Sequence, residues 1–171
     1  MNQFASSSQR VGVFIDTQNI YHSARNFYQA NVDFGSLVRS VVGPRQQIRA
    51  IAYVIKSDLS EKEISFFEAL VSKGIELRIK DLITMPGGEK KADWDVGIAV
   101  DAIRVSKLLD VVIVATGDGD FIPLVEYLQN QGLQVEAAGF GRNSSIKLKE
   151  RVDFFYDLDE LTDSILIKSK R

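Results

Sequence analysis

Six side chains carry the chemistry that this sequence offers: Asp16, Asn19, Asp93, Asp95, Asp118 and Asp120. Asp16 closes an apolar run at residues 11–16 (VGVFID), and Thr17, Gln18 and Asn19 follow it. Asp118 and Asp120 stand in Thr116-Gly117-Asp118-Gly119-Asp120, directly after a second apolar run at residues 111–115 (VVIVA). Asp93 and Asp95 flank Trp94 at the head of a stretch with helical patterning. Carboxylates a few ångströms apart repel by several kcal/mol at an effective dielectric of about 20. A divalent cation relieves that repulsion, and an all-oxygen ligand set favours Mg²⁺, Mn²⁺ or Ca²⁺. Such a site activates water and clamps a phosphodiester, with one ion or a pair.

The rest of the composition removes competing chemistries. The chain has 171 residues, no cysteine and one histidine, His22. Thiolate zinc sites, iron–sulfur clusters, disulfide frameworks and cysteine nucleophiles are thereby excluded. Sites that need two or three histidines are excluded too. The first apolar run is not followed by G-x-G-x-x-G, and no G-x-x-x-x-G-K-[ST] occurs, so neither nucleotide fingerprint is present. Asp118 does not start a calcium loop, because the fifth and twelfth positions are Ile122 and Gln129.

The elements that must position the acids follow from hydrophobic period. Runs at residues 11–16, 48–55, 75–80, 111–115 and 133–138 read as buried strands, and residues 154–157 as a short sixth. Between them lie helical stretches. One covers residues 19–28, and a second runs from an Asp33 cap to about Val42, stopped by Gly43-Pro44. A third follows the capping box Ser60-Glu61-Lys62-Glu63 and closes at Gly74. Asp93 is placed to cap a fourth and Asp120 a fifth, and residues 159–168 pattern as a last amphipathic helix. Strands alternating with helices predict a single three-layer α/β/α domain around a parallel sheet. Ligands bind such sheets beyond the carboxyl ends of the strands, where strand order reverses. If the first and fourth strands are neighbours, Asp16 and Asp118 meet there.

Plainer roles stand beside these. An aspartate entering a helix is ordinarily an N-cap, which covers Asp93 and Asp120, while Gly117 and Gly119 are ordinary turn residues. Asp101 lies mid-helix, off the face of Asp95, and reads as surface charge. Lys90, Lys91, Arg25, Arg142 and Lys147 surround the predicted rim and suit a phosphate backbone, although each alone also reads as solvated surface. Lys149 and Arg151 follow Lys147 at a spacing that defines no single helical face. His22 reads as surface or packing. Trp94 fits both core and stacking surface.

Net charge is −2 and the sequence pI about 5.5, which by itself argues against a nucleic-acid binder. The charge is uneven: residues 61–138 hold 14 acids against 8 bases. Asp93, Asp95, Asp118 and Asp120 are among those acids, so part of the excess is the candidate site itself.

Taken in order, Phe14-Ile15-Asp16-x-x-Asn19, then Lys91-x-Asp93-Trp94-Asp95 with Asp101, then Thr116-Gly117-Asp118-Gly119-Asp120-Phe121-x-Pro123-Leu124, the chain resembles the NYN domain of the PIN-like nuclease superfamily, in its LabA-like branch. The resemblance covers about residues 10–158. It implies a PIN-like fold with central strand order 3-2-1-4-5 and a Mg²⁺- or Mn²⁺-dependent ribonuclease. Carried over by position, Asp16, Asn19, Asp95, Asp118 and Asp120 match the family's catalytic acidic site. Asp16, Asp95, Asp118 and Asp120 would be metal ligands, with Asp93 an extra acid of this branch and Thr116 in place of a common Ser. Lys90, Lys91, Arg25, Arg142 and Lys147 would be RNA contacts. The same branch is associated with regulation, including circadian output in cyanobacteria, so the alternative is a regulatory module that binds RNA or protein with little or no turnover. A small-molecule phosphohydrolase is a third reading.

The sequence reading also predicts a flexible tail at residues 1–10, the domain at 11–168 and a basic tail at 169–171. Residues 84–91 read as a mobile loop. No membrane span or targeting segment is predicted, and the cytoplasm is the expected location. A homodimer is an open expectation, with no heptad to mark it.

Overall fold

The computed structural model describes residues 5–56, 60–84, 86 and 90–167, without the side chains of Thr84, Lys90 and Lys91. The start of the expected N-terminal tail, Lys168 and the basic tail lie outside the described residues. Gln9 already belongs to the sheet edge, since its carbonyl accepts the Gln46 N–H at 3.0 Å.

Six strands form the central sheet: β1 (Arg10–Asp16), β2 (Gln46–Lys56), β3 (Glu76–Asp81), β4 (Val111–Ala115), β5 (Gln134–Gly139) and β6 (Phe154–Asp157). Every pairing is parallel. The order is β3-β2-β1-β4-β5-β6: the predicted 3-2-1-4-5 with the sixth strand added outside β5. The two central strands read as unbroken apolar runs because both faces are covered. Val11, Val13 and Ile15 point to one core cluster and Phe14 to the other. Burial of side chains this size contributes about 1.5–3 kcal/mol each.

Helices α1 (Thr17–Tyr28), α2 (Phe34–Val42) and α3 (Glu61–Ser72) cover one face, joined by Ile165 of α7 (Thr162–Ile165). Helices α4 (Asp95–Val105), α5 (Ile122–Asn130) and α6 (Ile146–Arg151) cover the other. Asp33 caps α2 by accepting the Ser36 N–H at 3.0 Å, and Ser60 caps α3 by accepting the Glu63 N–H at 3.3 Å. Gly43, Gly74 and Gly132 leave their helices with positive φ (59°, 74° and 86°), where a Cβ would be strained.

Four expectations are corrected. Residues 159–168 are not one helix. A 3-10 turn, Leu158–Leu161, leads into the four-residue α7, and Leu166–Ile167 then pairs antiparallel with Asn31–Val32. The amphipathic pattern there serves a short wrap against the α1–α2 side. Asp93 does not cap α4, whose N-cap position is Trp94 with no side-chain bond. Asp120 does not cap α5; Asp118 caps the preceding 3-10 turn, Gly119–Phe121. Finally, the predicted loop at 84–91 has ordered ends, since Ile83–Thr84 pairs antiparallel with Lys90–Lys91. Its tip, apart from Pro86, lies outside the described residues.

Candidate metal centre

β1 and β4 are parallel neighbours, so their carboxyl ends open on one edge of the sheet. Asp16 is the last residue of β1, and the Thr116–Asp120 loop leaves β4 at the same edge. α4 runs back against the strands, which brings its first residue, Asp95, there as well.

Carboxylate oxygens of Asp95, Asp118 and Asp120 lie within 4.8 Å of one another, the first two half-buried and the third exposed. Asp118 accepts the Asp120 N–H at 2.9 Å, which fixes the turn between them. Asp16 stands behind this group on a hydrogen-bonded relay. Its Oδ1 accepts the Asn19 N–H and its Oδ2 accepts the Thr116 hydroxyl, both at 3.2 Å. Thr116 Oγ1 in turn accepts the Asp118 N–H at 3.2 Å. Asn19 Oδ1 accepts the Gly117 N–H at 2.9 Å. Asn19 therefore ties the start of α1 to the loop after β4, and the buried Thr116 couples Asp16 to Asp118.

Burial pushes the Asp16 carboxyl up from 3.8 to about 6; the Asn19 and Thr116 hydrogen bonds pull it down, and the charges of Asp95 and Asp118 add to the rise. Burial also raises Asp95, with Asp93, Asp118 and Asp120 adding to it and Lys80 opposing them. A carboxylate with a raised pKa makes the metal-free fold less stable as pH rises. Between about 4 and 6 the folded chain keeps a proton on Asp16 that the unfolded chain has released. The unfolded state then binds fewer protons, so stability falls through that window. Asp16→Asn is expected to lack this loss. Its melting temperature, relative to wild type without metal, should rise steadily from pH 4 to pH 6.5 in a scanning-calorimetry series. A difference that stays constant with pH would refute the assignment.

The donor set is all oxygen, which fits a hard cation such as Mg²⁺ or Mn²⁺. The lone histidine is exposed on α1, edge-on to Tyr21, and is not part of the group. Asp93 is exposed and outside the close triad; it acts on Asp95 through its charge.

Several supporting residues were not singled out from sequence. The Lys80 ammonium donates to the Asp93 carbonyl at 2.7 Å and lies 4.5 Å above the Trp94 ring. Ser144 and Ser145 pack on the glycines of the loop: a Cβ on Gly117 would meet Ser144 Oγ at 2.5 Å, and one on Gly119 would meet Ser145 Oγ at 2.8 Å. The TGDGD glycines are thus required by close approach. Trp94 is core-facing, donating its Nε1–H to the Val54 carbonyl at 2.9 Å and packing edge-on against Tyr53. Asp101 is not surface charge, for it is largely buried and accepts from Tyr53 Oη at 3.0 Å and Arg78 Nε at 3.2 Å.

The basic residues fare unevenly. Arg25 and Lys147 are exposed. Arg142 pairs with Asp159 at 3.7 Å and lies over the Tyr28 ring. The Lys90 and Lys91 side chains lie outside the described residues.

A sequence profile of the NYN domain matches residues 10–159. The chain is a member of the NYN domain family. The NYN domain places it in the PIN-like nuclease superfamily; NYN and PIN-like nucleases generally use divalent metals, and NYN domains are generally RNA-related. The chain is 22% identical over 173 residues to the low amplitude and bright protein LabA of Synechococcus elongatus, covering 95% of this chain and 90% of that protein. It also superimposes on the crystal structure of a protein of unknown function from Vibrio parahaemolyticus. There the TM-score is 0.85 and the identity 32%, over 95% of this NYN chain and 99% of the other. No helix among the described residues is long and apolar enough to cross a membrane.

Proposed function

We propose that this NYN domain is a metal-dependent ribonuclease that hydrolyses RNA phosphodiesters at the β1–β4 edge. The observation that carries the reading is the meeting of Asp95, Asp118 and Asp120 within 4.8 Å, with the half-buried Asp16 hydrogen-bonded behind them. Asp95, Asp118 and Asp120 would hold Mg²⁺ or Mn²⁺, with Asp16 close behind and Asp93 at the rim. When bound, such an ion supplies positive charge to a phosphate oxygen and lowers the pKa of a water. Asn19 and Thr116 keep the loop after β4 in register with β1 through the contacts at 2.9 and 3.2 Å. Arg25 and Lys147, with Lys90 and Lys91, are the cations proposed to hold the phosphate backbone, a contact that positions without reading sequence. Arg142 is proposed for the same role once released from Asp159.

Purified protein is expected to cut single-stranded or structured RNA with Mn²⁺ or Mg²⁺ in multiple turnovers, and chelation by EDTA should stop it. Cleavage unchanged by EDTA would defeat the proposal. A second reading, a regulatory NYN module binding RNA or protein without turnover, is favoured by the engagement of Arg142 with Asp159, which removes a cation from the rim. Saturable RNA binding with no product at high enzyme concentration would select it. Hydrolysis of nucleotides or phosphate esters with RNA left intact would select a small-molecule phosphohydrolase.

A further inference from the structure

Asp16, Asp33, Ser60 and Ser145 cap α1, α2, α3 and α6, each accepting a backbone N–H of its helix's first turn. α4 begins at Asp95, a member of the close triad, and has no such cap: its N-cap residue is Trp94, whose side chain makes no capping bond. A helix start without a side-chain cap needs another restraint to stay in place.

Here the restraint comes from two strands. Lys80 of β3 donates to the Asp93 carbonyl at 2.7 Å, and its ammonium lies 4.5 Å over the Trp94 ring. Trp94 Nε1–H donates to the Val54 carbonyl of β2 at 2.9 Å, and its ring meets Tyr53 edge-on at 5.3 Å. Tyr53 is fixed in turn, because its hydroxyl donates at 3.0 Å to the Asp101 oxygen that also accepts Arg78 Nε at 3.2 Å. Gly97 makes room for the indole: a Cβ there would lie 2.5 Å from Trp94 Cε3 and 2.9 Å from Cζ3. Glycine inside a helix is unfavourable by propensity, and the ring folded back over the first turn accounts for this one.

We propose that Lys80 and Trp94 are positioning residues for the candidate metal centre, holding the entry of α4 so that the Asp95 carboxylate stays within reach of Asp118 and Asp120. The inference rests on the reading of that triad as a divalent-cation site. Asp118 and Asp120 share one turn, tied by the Asp120 N–H bond at 2.9 Å. Asp95 comes from a separate element and meets them only while α4 starts where it does. Like charges push it away when no ion is bound, and the clamp from β2 and β3 opposes that push. A ligand held in place beforehand has less freedom to lose on binding, so the clamp raises cation affinity without touching the ion.

Calorimetric titration of the full chain with Mn²⁺, beside melting curves without metal, provides the test. By charge alone, removing the Lys80 ammonium would tighten a cation at the triad, since its charge reaches Asp95. The clamp requires the opposite sign. Lys80→Met should weaken Mn²⁺ about tenfold, the scale for a group that orients a metal ligand from behind. Lys80→Arg, which keeps the donor and the charge, should stay within about twofold of wild type. Gly97→Ala is a second test of sign: helix propensity favours Ala, yet its Cβ displaces the indole, so Mn²⁺ should again weaken about tenfold. Trp94 is the sole tryptophan, so its emission should move to longer wavelength in Lys80→Met and Gly97→Ala and stay in place in Lys80→Arg. Unchanged or tighter Mn²⁺ binding by Lys80→Met, even with a lower metal-free melting temperature, would overturn the proposal and leave the metal site standing. A wild type that binds no Mn²⁺ would overturn both.

Discussion

Asp118→Asn is expected to lower RNA hydrolysis about a thousandfold while leaving the fold intact. The substitution is close to isosteric, and the Asn Oδ1 can still accept the Asp120 N–H that Asp118 accepts at 2.9 Å. The turn after β4 should therefore survive. What disappears is one negative charge from a triad whose oxygens lie within 4.8 Å of one another. Transition-state stabilisation by a bound ion is worth several kcal/mol, and about 4 kcal/mol corresponds to a thousandfold. Two further readouts separate a lost ion from a lost fold. Mn²⁺ should raise the wild-type melting temperature by mass action, and that rise should largely vanish in the variant. Without metal the variant should melt at or above wild type, because Asp95 and Asp16 lose a repelling neighbour. Cleavage by the variant at the wild-type rate would mean that the activity lies elsewhere or in a contaminant.

The legibility of this site in the sequence had a physical basis. A strand buried on both faces reads as an unbroken apolar run, and an aspartate that terminates one is conspicuous. That is how Asp16 and the Thr116–Asp120 loop stood out, and parallel pairing of β1 with β4 then brings them to one edge. Period and spacing could not say which acid caps which turn. Asp118 satisfies the Asp120 N–H and faces the triad at once, so a cap and a candidate ligand are the same residue. Nor could they reveal Lys80 or the two serines, which approach from other strands and loops. Asp101 shows the limit most directly. Its partners Tyr53 and Arg78 lie 48 and 23 residues away along the chain, and no local pattern signals them.

The misread C-terminal segment has a similar cause. Helical spacing of apolar residues in 159–168 is real, but Leu166 meets Val32 across an antiparallel pair. Tertiary pairing outweighs a weak helical preference over a stretch this short. The cost of not seeing long-range partners also appears in β5. Its apolar run is interrupted by Glu136, a charge that no local pattern explains. In the fold Glu136 is wholly buried, and its partner Arg45 enters from the loop between α2 and β2.

That pair gives the largest expected effect on stability. The Arg45 guanidinium donates to both Glu136 oxygens, at 2.8 and 3.0 Å, and both side chains are fully inaccessible. Its Nε–H donates to the Val42 carbonyl at 3.0 Å, and Nη2, shared with Glu136, also lies 2.6 Å from the Val41 carbonyl and 3.0 Å from the Tyr156 hydroxyl. Gln134 donates to Glu136 at 2.6 Å. Removing one partner leaves the other charge buried without compensation, which costs about 3–5 kcal/mol. Glu136→Ala should therefore lower the melting temperature by roughly 6–20 °C, at about 2–4 °C per kcal/mol for a chain of this size. The double change Arg45→Met with Glu136→Leu should recover much of that loss, because apolar groups of similar volume need no partner. It would still forfeit the contacts to the end of α2, so full recovery is not expected. Calorimetry on the two variants decides the matter. If Glu136→Ala melts within 2 °C of wild type, water reaches the site on mutation and the pair does not hold α2 against β5. If it melts far lower and the double variant recovers, the penalty lies in the orphaned charge.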